Sequence, residues 1–352
     1  MIFANGYTEE LQRYVADNEP LFQSLAGSRV FVSGAAGLIG SYVIDLLITS
    51  NRLLNTGITA YAVDKNRALL EQRFPDTYAD TVKRMVADVN AHAFTDFTAD
   101  YVIHAASNTS PIDYATKPVD TIQTNVMGTD RLIQFALSTG AKRFLFCSSV
   151  EAYGANNGDV DKFTETYSGY VDCNTLRAGY PSAKRVSEAL CNAYMAQYDT
   201  FDFVTARIGR IYGPTVIEGD AKAPSQFINN AVEGEPIVMK SDGMQQYSYG
   251  YVGDCAVALL FILLKGEKGQ AYNVADPGSC VLLRDFAQAA ATAGQTEITF
   301  VVPTAVETAG YSKITKATMD TTKLEALGWR AVYATQEGVG RTVAYMKELK
   351  GR

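Results

Sequence analysis

Apolar residues in this chain gather into short runs separated by stretches with helical spacing. Arg29–Ser33 (RVFVS) is the first run and ends at glycines, and Leu38–Ser50 then repeats apolar residues every three to four positions. Thr59–Asp64 (TAYAVD), Val82–Asp88, Tyr101–Ala106 (YVIHAA), Arg143–Ser149 (RFLFCSS) and Phe201–Arg207 (FDFVTAR) are further strand candidates, with helices expected near 118–139 and 180–198. Val-, Ile- and Phe-rich strands alternating with helices of this length read as βαβ units, so an α/β fold with a doubly wound parallel sheet is expected. Residues 1–28 read as a polar, partly helical N-terminal extension. Past residue 210 Gly, Pro and polar residues thicken and the alternation loosens, which predicts a smaller mixed C-terminal lobe from 209–249 and 266–352. The apolar helix candidate Gly253–Leu264, within 250–265, is expected to pack back onto the sheet domain.

Composition removes several classes of function. The 352 residues are 47% hydrophobic and 20% charged, which is ordinary globular composition and excludes wholesale disorder. With 31 Lys+Arg against 38 Asp+Glu the net charge is −7, an acidic balance that argues against nucleic-acid binding. The longest apolar run, Ala256 to Leu264, is half the ~18 residues of a membrane span. The N-terminus lacks the basic and apolar regions of a secretory signal, so a cytoplasmic protein is expected. Five scattered cysteines without a CxxC pair predict neither a disulfide nor a zinc framework, and no metal site is expected. Two histidines, His92 and His104, supply a Ser-His-Asp triad poorly. Chemistry must come from Tyr, Lys, Ser, Glu and a borrowed cofactor.

Ser33-Gly34-Ala35-Ala36-Gly37-Leu38-Ile39-Gly40 lies between the first strand and the first helix of the alternation. Glycines there permit a tight turn and a close approach of pyrophosphate to the backbone, and the helix N-terminus offers free N–H groups. A lone Gly triplet also marks ordinary turns. Asp64 raises its meaning by closing the second strand 24 residues after Gly40, where a carboxylate accepts both hydroxyls of an adenine ribose and repels a 2′-phosphate. The expected cofactor is therefore NAD, held on a Rossmann-type domain over 29–208, with Gly34, Gly37, Leu38, Ile39, Gly40, Asp64 and Lys65 as contacts. Arg67 could soften the preference for NAD over NADP. Asp88-Val89 is a candidate adenine contact, and Ala105-Ala106-Ser107 could line the diphosphate and ribose; the alternative for both is strand-end packing.

Tyr180 and Lys184 (YPSAK) stand one helical turn apart. The same spacing recurs at Tyr61/Lys65, where a strand keeps the side chains from cooperating. Tyr180 gains weight from Ser148-Ser149, which end the fifth strand at the sheet edge where ligands sit. A lysine ammonium and an oxidised nicotinamide would pull the phenol down from its usual pKa of about 10, so that it takes a proton from a sugar hydroxyl held by Ser149.

These motifs together resemble an extended short-chain dehydrogenase/reductase of the nucleotide-sugar epimerase/dehydratase family. The matching segments are SGAAGLIG (33–40), VIHAAS (102–107), TNVMGT (124–129), FCSSVEAYG (146–154), YPSAK (180–184), RIGRIYGP (207–214) and DTTKLEALGW (320–329). Tyr170–Tyr194 and NTSPIDY (108–114) are most similar to the UDP-glucuronate decarboxylase branch, with dTDP-glucose 4,6-dehydratases close behind. The resemblance implies catalytic roles for Ser149, Tyr180 and Lys184, a cofactor contact at Asn125, and a second acid/base at Glu151. Dehydratases of this kind pair that glutamate with a preceding aspartate, where this chain has Val150. The resemblance also implies transient oxidation at C4 of a nucleotide sugar, a homodimer built through 118–139 and 180–198, and substrate contacts at Ser110, Arg210 and Tyr247. Two positions depart from the pattern: Tyr247 stands where an arginine is usual and Arg210 where an asparagine is usual. Arg210, Lys222 or Lys240 could restore the charge; equally, the substrate could be an altered nucleotide sugar, or not a nucleotide sugar at all. A 4-epimerase or net dehydrogenase/reductase, and a non-catalytic NAD-binding regulator, are the competing readings.

Overall fold

A computed structural model describes residues 5–109, 111–303 and 315–351. Its main sheet has seven strands in the order β10-β6-β5-β4-β1-β2-β3, every pair parallel. The strands are β1 (Arg29–Ser33), β2 (Thr59–Asp64), β3 (Val82–Val86), β4 (Tyr101–His104), β5 (Arg143–Ser149), β6 (Phe203–Ile208) and β10 (Ala271–Val274). Near-continuous apolar burial in β1, β5 and β6 is what a sheet covered on both faces requires. The central helices are α3 (Leu38–Leu54), α6 (Pro118–Thr139), α7 (Gly179–Gln197) and α9 (Val252–Lys265). α9 is buried along nearly its whole length and packs against β5, β6 and α3, which is why its sequence is apolar on every face.

The loosened C-terminal pattern folds as two small sheets. β9 (Gln246–Tyr251) pairs with β7 (Arg210–Tyr212), β11 (Cys280–Leu282) and β13 (Lys316–Ala317), and β8 (Ile237–Met239) pairs with β12 (Ile298–Phe300). Helices α8 (Ala223–Glu233), α10 (Leu283–Gly294) and a C-terminal helix, Thr335–Leu349, pack beside them. β10 leaves this lobe to pair with β6 as the edge strand of the main sheet; at four residues it is too short for periodicity to declare it.

The N-terminal extension is part of the core. Helix α1 (Asn5–Asp17) buries Tyr7, Glu10, Leu11, Tyr14 and Val15 against α3 and α9. Glu10 accepts hydrogen bonds from Tyr42 of α3 at 2.7 Å, Tyr251 of β9 at 2.6 Å and Tyr345 of the C-terminal helix at 3.1 Å. Asp254 of α9 accepts from the Tyr14 hydroxyl and the amides of Val332 and Tyr333. Burial raises the Glu10 carboxyl, against the tyrosine hydrogen bonds that lower it. Replacing Glu10 by Ala leaves three shielded hydroxyls without their acceptor, and denaturant unfolding should show a loss of about 2–4 kcal/mol. Exposed Glu9→Ala should stay within about 0.5 kcal/mol.

Candidate active site

β1 ends at Ser33 and α3 begins at Leu38, so Gly34 to Gly37 make the entire turn. Gly34 holds φ +68°, and a Cβ on it would lie 2.8 Å from the Ala106 backbone that follows β4. A Cβ on Gly40 would run into the Gly34 carbonyl oxygen, and one on Gly37 would stand 3.2 Å from the same atom. Gly37 caps α3 without any side-chain hydrogen bond. The N–H groups of the first turn, at half-buried Leu38 and Ile39, are thus left to an outside acceptor at the positive end of a 17-residue helix.

Around this turn stand the other expected cofactor contacts. Asp64 accepts from the Ala36 amide at 3.2 Å and the Asn66 amide at 2.9 Å, which fixes its carboxylate against the glycine turn. Lys65 is exposed, and Arg67 pairs with Glu71 at 3.3 Å. Beyond β3, Asp88 is exposed and Val89 is buried against α6 at Gly128, where a Cβ would meet it. Ala105 and Ala106 donate to the Ser33 carbonyl and Ser33 Oγ, each at 3.2 Å. Ser107 donates to Asn125 Oδ1 at 2.9 Å, while Asn125, wholly buried, donates to the Thr121 carbonyl at 2.8 Å. An uncapped helix N-terminus, a backbone stripped of Cβ atoms and a carboxylate beside it fit an NAD diphosphate and ribose.

Tyr180 enters at the second position of α7 and is buried. Burial pushes its phenol up to about 12, although hydrogen bonds to Ser149 and Ser107 and the charge of Arg177 act downward; Glu151 acts upward. The protein alone therefore does not supply the lowering expected from the Tyr–Lys spacing. Lys184 Nζ lies 5.7 Å from the Tyr180 ring centre but donates to the Cys147 carbonyl at 2.8 Å, and burial draws its ammonium down to about 8. His104, sealed beneath the turn and bonded to Ser33 Oγ at 2.8 Å, is driven by burial to about 3 and stays neutral. Ser149 ends β5 and accepts from the Glu151 amide at 3.3 Å.

Glu151 is joined by a residue that the sequence did not single out. Arg177 Nη2 reaches both its carboxylate oxygens, at 2.5 and 2.6 Å. The Arg177 guanidinium lies 4.7 Å from the Tyr114 ring centre, and Tyr114 stacks on Tyr180 at 4.9 Å. The signal available was position: Arg177 stands three residues before Tyr180, across one short 3₁₀ turn. Arg210 lies with its guanidinium 3.7 Å over the ring of buried Tyr247, bringing together the two positions that depart from the family pattern. Lys222 is tied to Thr109 and Asp220, at 3.0 and 3.2 Å. Ser110 lies outside the described residues. Among the described residues no group of three or more His, Cys, Asp or Glu is placed to hold a metal ion.

Strand order, the glycine turn and the Asp64 carboxylate fixed beside it define a dinucleotide-binding protein of the Rossmann type. Residues 30–275 match the NAD dependent epimerase/dehydratase family, and the chain belongs to it. NAD is accordingly its cofactor. UDP-glucuronic acid decarboxylase 6 of Arabidopsis thaliana is 31% identical over 275 residues, 76% of this chain and 74% of that protein. UDP-glucuronic acid decarboxylase 1 of Xenopus tropicalis is 29% identical over 329 residues, 92% of this chain and 73% of that protein. In fold, the chain is similar to the UDP-glucose 4-epimerase of Thermus thermophilus solved with NAD, with a TM-score of 0.76 and 24% identity over 91% of this chain and 99% of that one. It is equally similar to dTDP-glucose 4,6-dehydratase of Bacillus anthracis, with a TM-score of 0.75 and 18% identity over 92% and 98%.

Gly40→Ala should weaken NAD binding at least about tenfold, because its methyl group displaces the Gly34 carbonyl and with it the turn. Nucleotide released on denaturation, measured against protein, checks this.

Proposed function

We propose that the protein decarboxylates a nucleotide-linked uronate through transient oxidation at C4. The observation that carries this reading is the convergence of Ser149, Glu151 and Tyr180, with Arg177 bound to Glu151, at the carboxyl edge of β5. Bound NAD supplies a hydride acceptor that later becomes the donor, so the cycle is redox-neutral. In our assignment Tyr180 takes the proton of the C4 hydroxyl, Ser149 orients that hydroxyl, and Lys184 supplies positive charge near the phenol. A ketone at C4 places a C5 carboxylate β to a carbonyl, where loss of CO2 leaves charge that the ketone oxygen delocalises. Tyr180 and Ser149 are the donors at that oxygen, and Glu151 is the second acid/base.

Dehydration after the same oxidation removes the C5 proton and expels hydroxide from C6, and needs a proton donor for that departing hydroxide. The neighbour of Glu151 that could share this task is Val150, apolar and buried. Loss of CO2 makes no such demand, and the curated relatives named above are decarboxylases. We assign nucleotide-sugar contacts to the smaller lobe, 209–249 and 266–352 without β10, through Arg210 and Tyr247. Tyr180→Phe should reduce turnover by about 10²–10⁴-fold while leaving NAD bound. Mass spectrometry of products from UDP-, dTDP-, GDP- and CDP-linked uronates should show loss of CO2. An unchanged product mass would favour epimerisation, and loss of water from a neutral sugar would favour dehydration.

We also infer a homodimer. Val119, Ile122 and Met127 of α6 and Val186 of α7 are exposed apolar side chains on two helices that pack side by side, as a four-helix interface with a second copy requires. Light scattering should return twice the chain mass, and Ile122→Glu combined with Val186→Glu should return the monomer. A cytoplasmic location is our reading of five free cysteines, three of them buried. Among the described residues no helix is long and apolar enough to cross a membrane.

A further inference from the structure

Among the described residues, the leading charged influences on Tyr114 and Tyr180 are Glu151, Arg177 and Arg210, one anion and two guanidinium groups. Lys184 adds a third cation 5.7 Å from the Tyr180 ring. Glu151 is engaged by a single nitrogen of Arg177, whose Nε and Nη1 are shielded from solvent and have no hydrogen-bond partner among the described residues. Arg210 Nε is likewise shielded and unpartnered, and Arg210 forms no ion pair among the described residues. Polar groups hidden from water without partners are costly to maintain, and guanidinium N–H groups match carboxylate oxygens in a planar fork.

Their location decides which anion fits. Arg177 packs on the ring that stacks on Tyr180, so it stands at the end of the site where the reacting hydroxyl must lie. In a nucleotide sugar the diphosphate leaves C1, across the sugar ring from C4, whereas a uronate carboxylate is carried on C5, the neighbour of C4. An anion at Arg177 is therefore within reach of C4, where a carboxylate on C5 falls and the diphosphate on C1 does not. The Arg177 side chain is one-fifth exposed, so it is not sealed in the core.

We propose that Arg177, assisted by Arg210, is the specificity-determining residue for a uronate: the guanidinium that holds Glu151 also receives the sugar carboxylate. This rests on the C4-oxidation reading of the same site. It assigns Arg177 two tasks, keeping Glu151 beside Tyr180 through Nη2 and donating to the substrate carboxylate from Nη1, the neighbouring nitrogen of the same end of the guanidinium. Neutral sugars would leave those N–H groups without a partner and bind less well.

The test is calorimetric titration of NAD-loaded protein carrying Tyr180→Phe, so that ligands bind without turning over. The titrants are free UDP, dTDP, GDP and CDP, and each as its glucose and its glucuronate conjugate. In at least one nucleotide series the glucuronate conjugate should bind at least tenfold more tightly than the glucose conjugate. Adding Arg177→Gln should reduce that ratio at least fivefold while free nucleotide binds as before, Arg210→Gln should reduce the ratio as well, and Arg177→Lys should recover part of what Arg177→Gln loses. Absence of a glucuronate preference in every series overturns the proposal, as does a preference that survives both glutamine variants. An equal loss for free nucleotide and both conjugates also overturns it, because the arginines would then be serving the diphosphate. C4 oxidation is tested separately by turnover of the protein with Tyr180 intact: a protein without uronate preference that still epimerises a neutral sugar refutes the carboxylate seat alone.

Discussion

The position of β1 between β2 and β4 is the constraint on which the rest of the molecule depends. Chain order reverses there, so the β1–β2–β3 half and the β4–β5–β6 half diverge and leave a crevice beyond the strand ends. Register then sets what lines it. Ser33 pairs with His104 and with Val63, one residue before Asp64, while His104 pairs with Phe146, three residues before Ser149. One ladder of parallel pairing thus aligns the glycine turn, Asp64, the Ala105–Ser107 segment and the end of β5. A one-residue slip would turn every inward side chain outward.

Groups set at that edge are tuned by burial more than by one another. Desolvation is the largest influence on Tyr180, Lys184 and His104, moving the phenol up and both bases down. A phenol so placed resists ionising until positive charge joins it, and the ammonium of Lys184 is occupied by a backbone carbonyl. In the C4-oxidation reading proposed above, proton removal would be coupled to ligand binding, because the charge that lowers the phenol would arrive with the cofactor.

Much of this was legible in the sequence because it is local. The strands from β1 to β6, the glycine turn, Asp64 and the Tyr180/Lys184 turn are each written within a few adjacent residues, by apolar runs, by glycines or by helical spacing. What escaped detection depends on contacts between distant segments. Arg177 and Glu151 are 26 residues apart, Tyr114 and Tyr180 lie on different helices, and no period links either pair. Arg210 and Tyr247 read separately as two departures; pairing of β7 with β9, which sets Arg210 opposite Tyr249, brings them face to face. The polar lead-in concealed a buried face because its tyrosines and Glu10 score as hydrophilic, while in the core Tyr7 and Tyr14 donate to Asp45 and Asp254 and Glu10 accepts from Tyr42, Tyr251 and Tyr345.

That shared carboxylate ties together parts of the chain that are far apart in sequence. Glu10 near one end collects the hydroxyl of Tyr345 near the other, and the Asn5 amide meets the Glu348 carboxylate at 2.8 Å. Neither terminus can peel away without stripping a partner from the other, so fraying at one margin loosens both. The family-matched span, 30–275, contains the cofactor crevice but neither half of this clasp. A fragment trimmed to that span would keep the cofactor motif and forfeit the latch that closes the molecule around it.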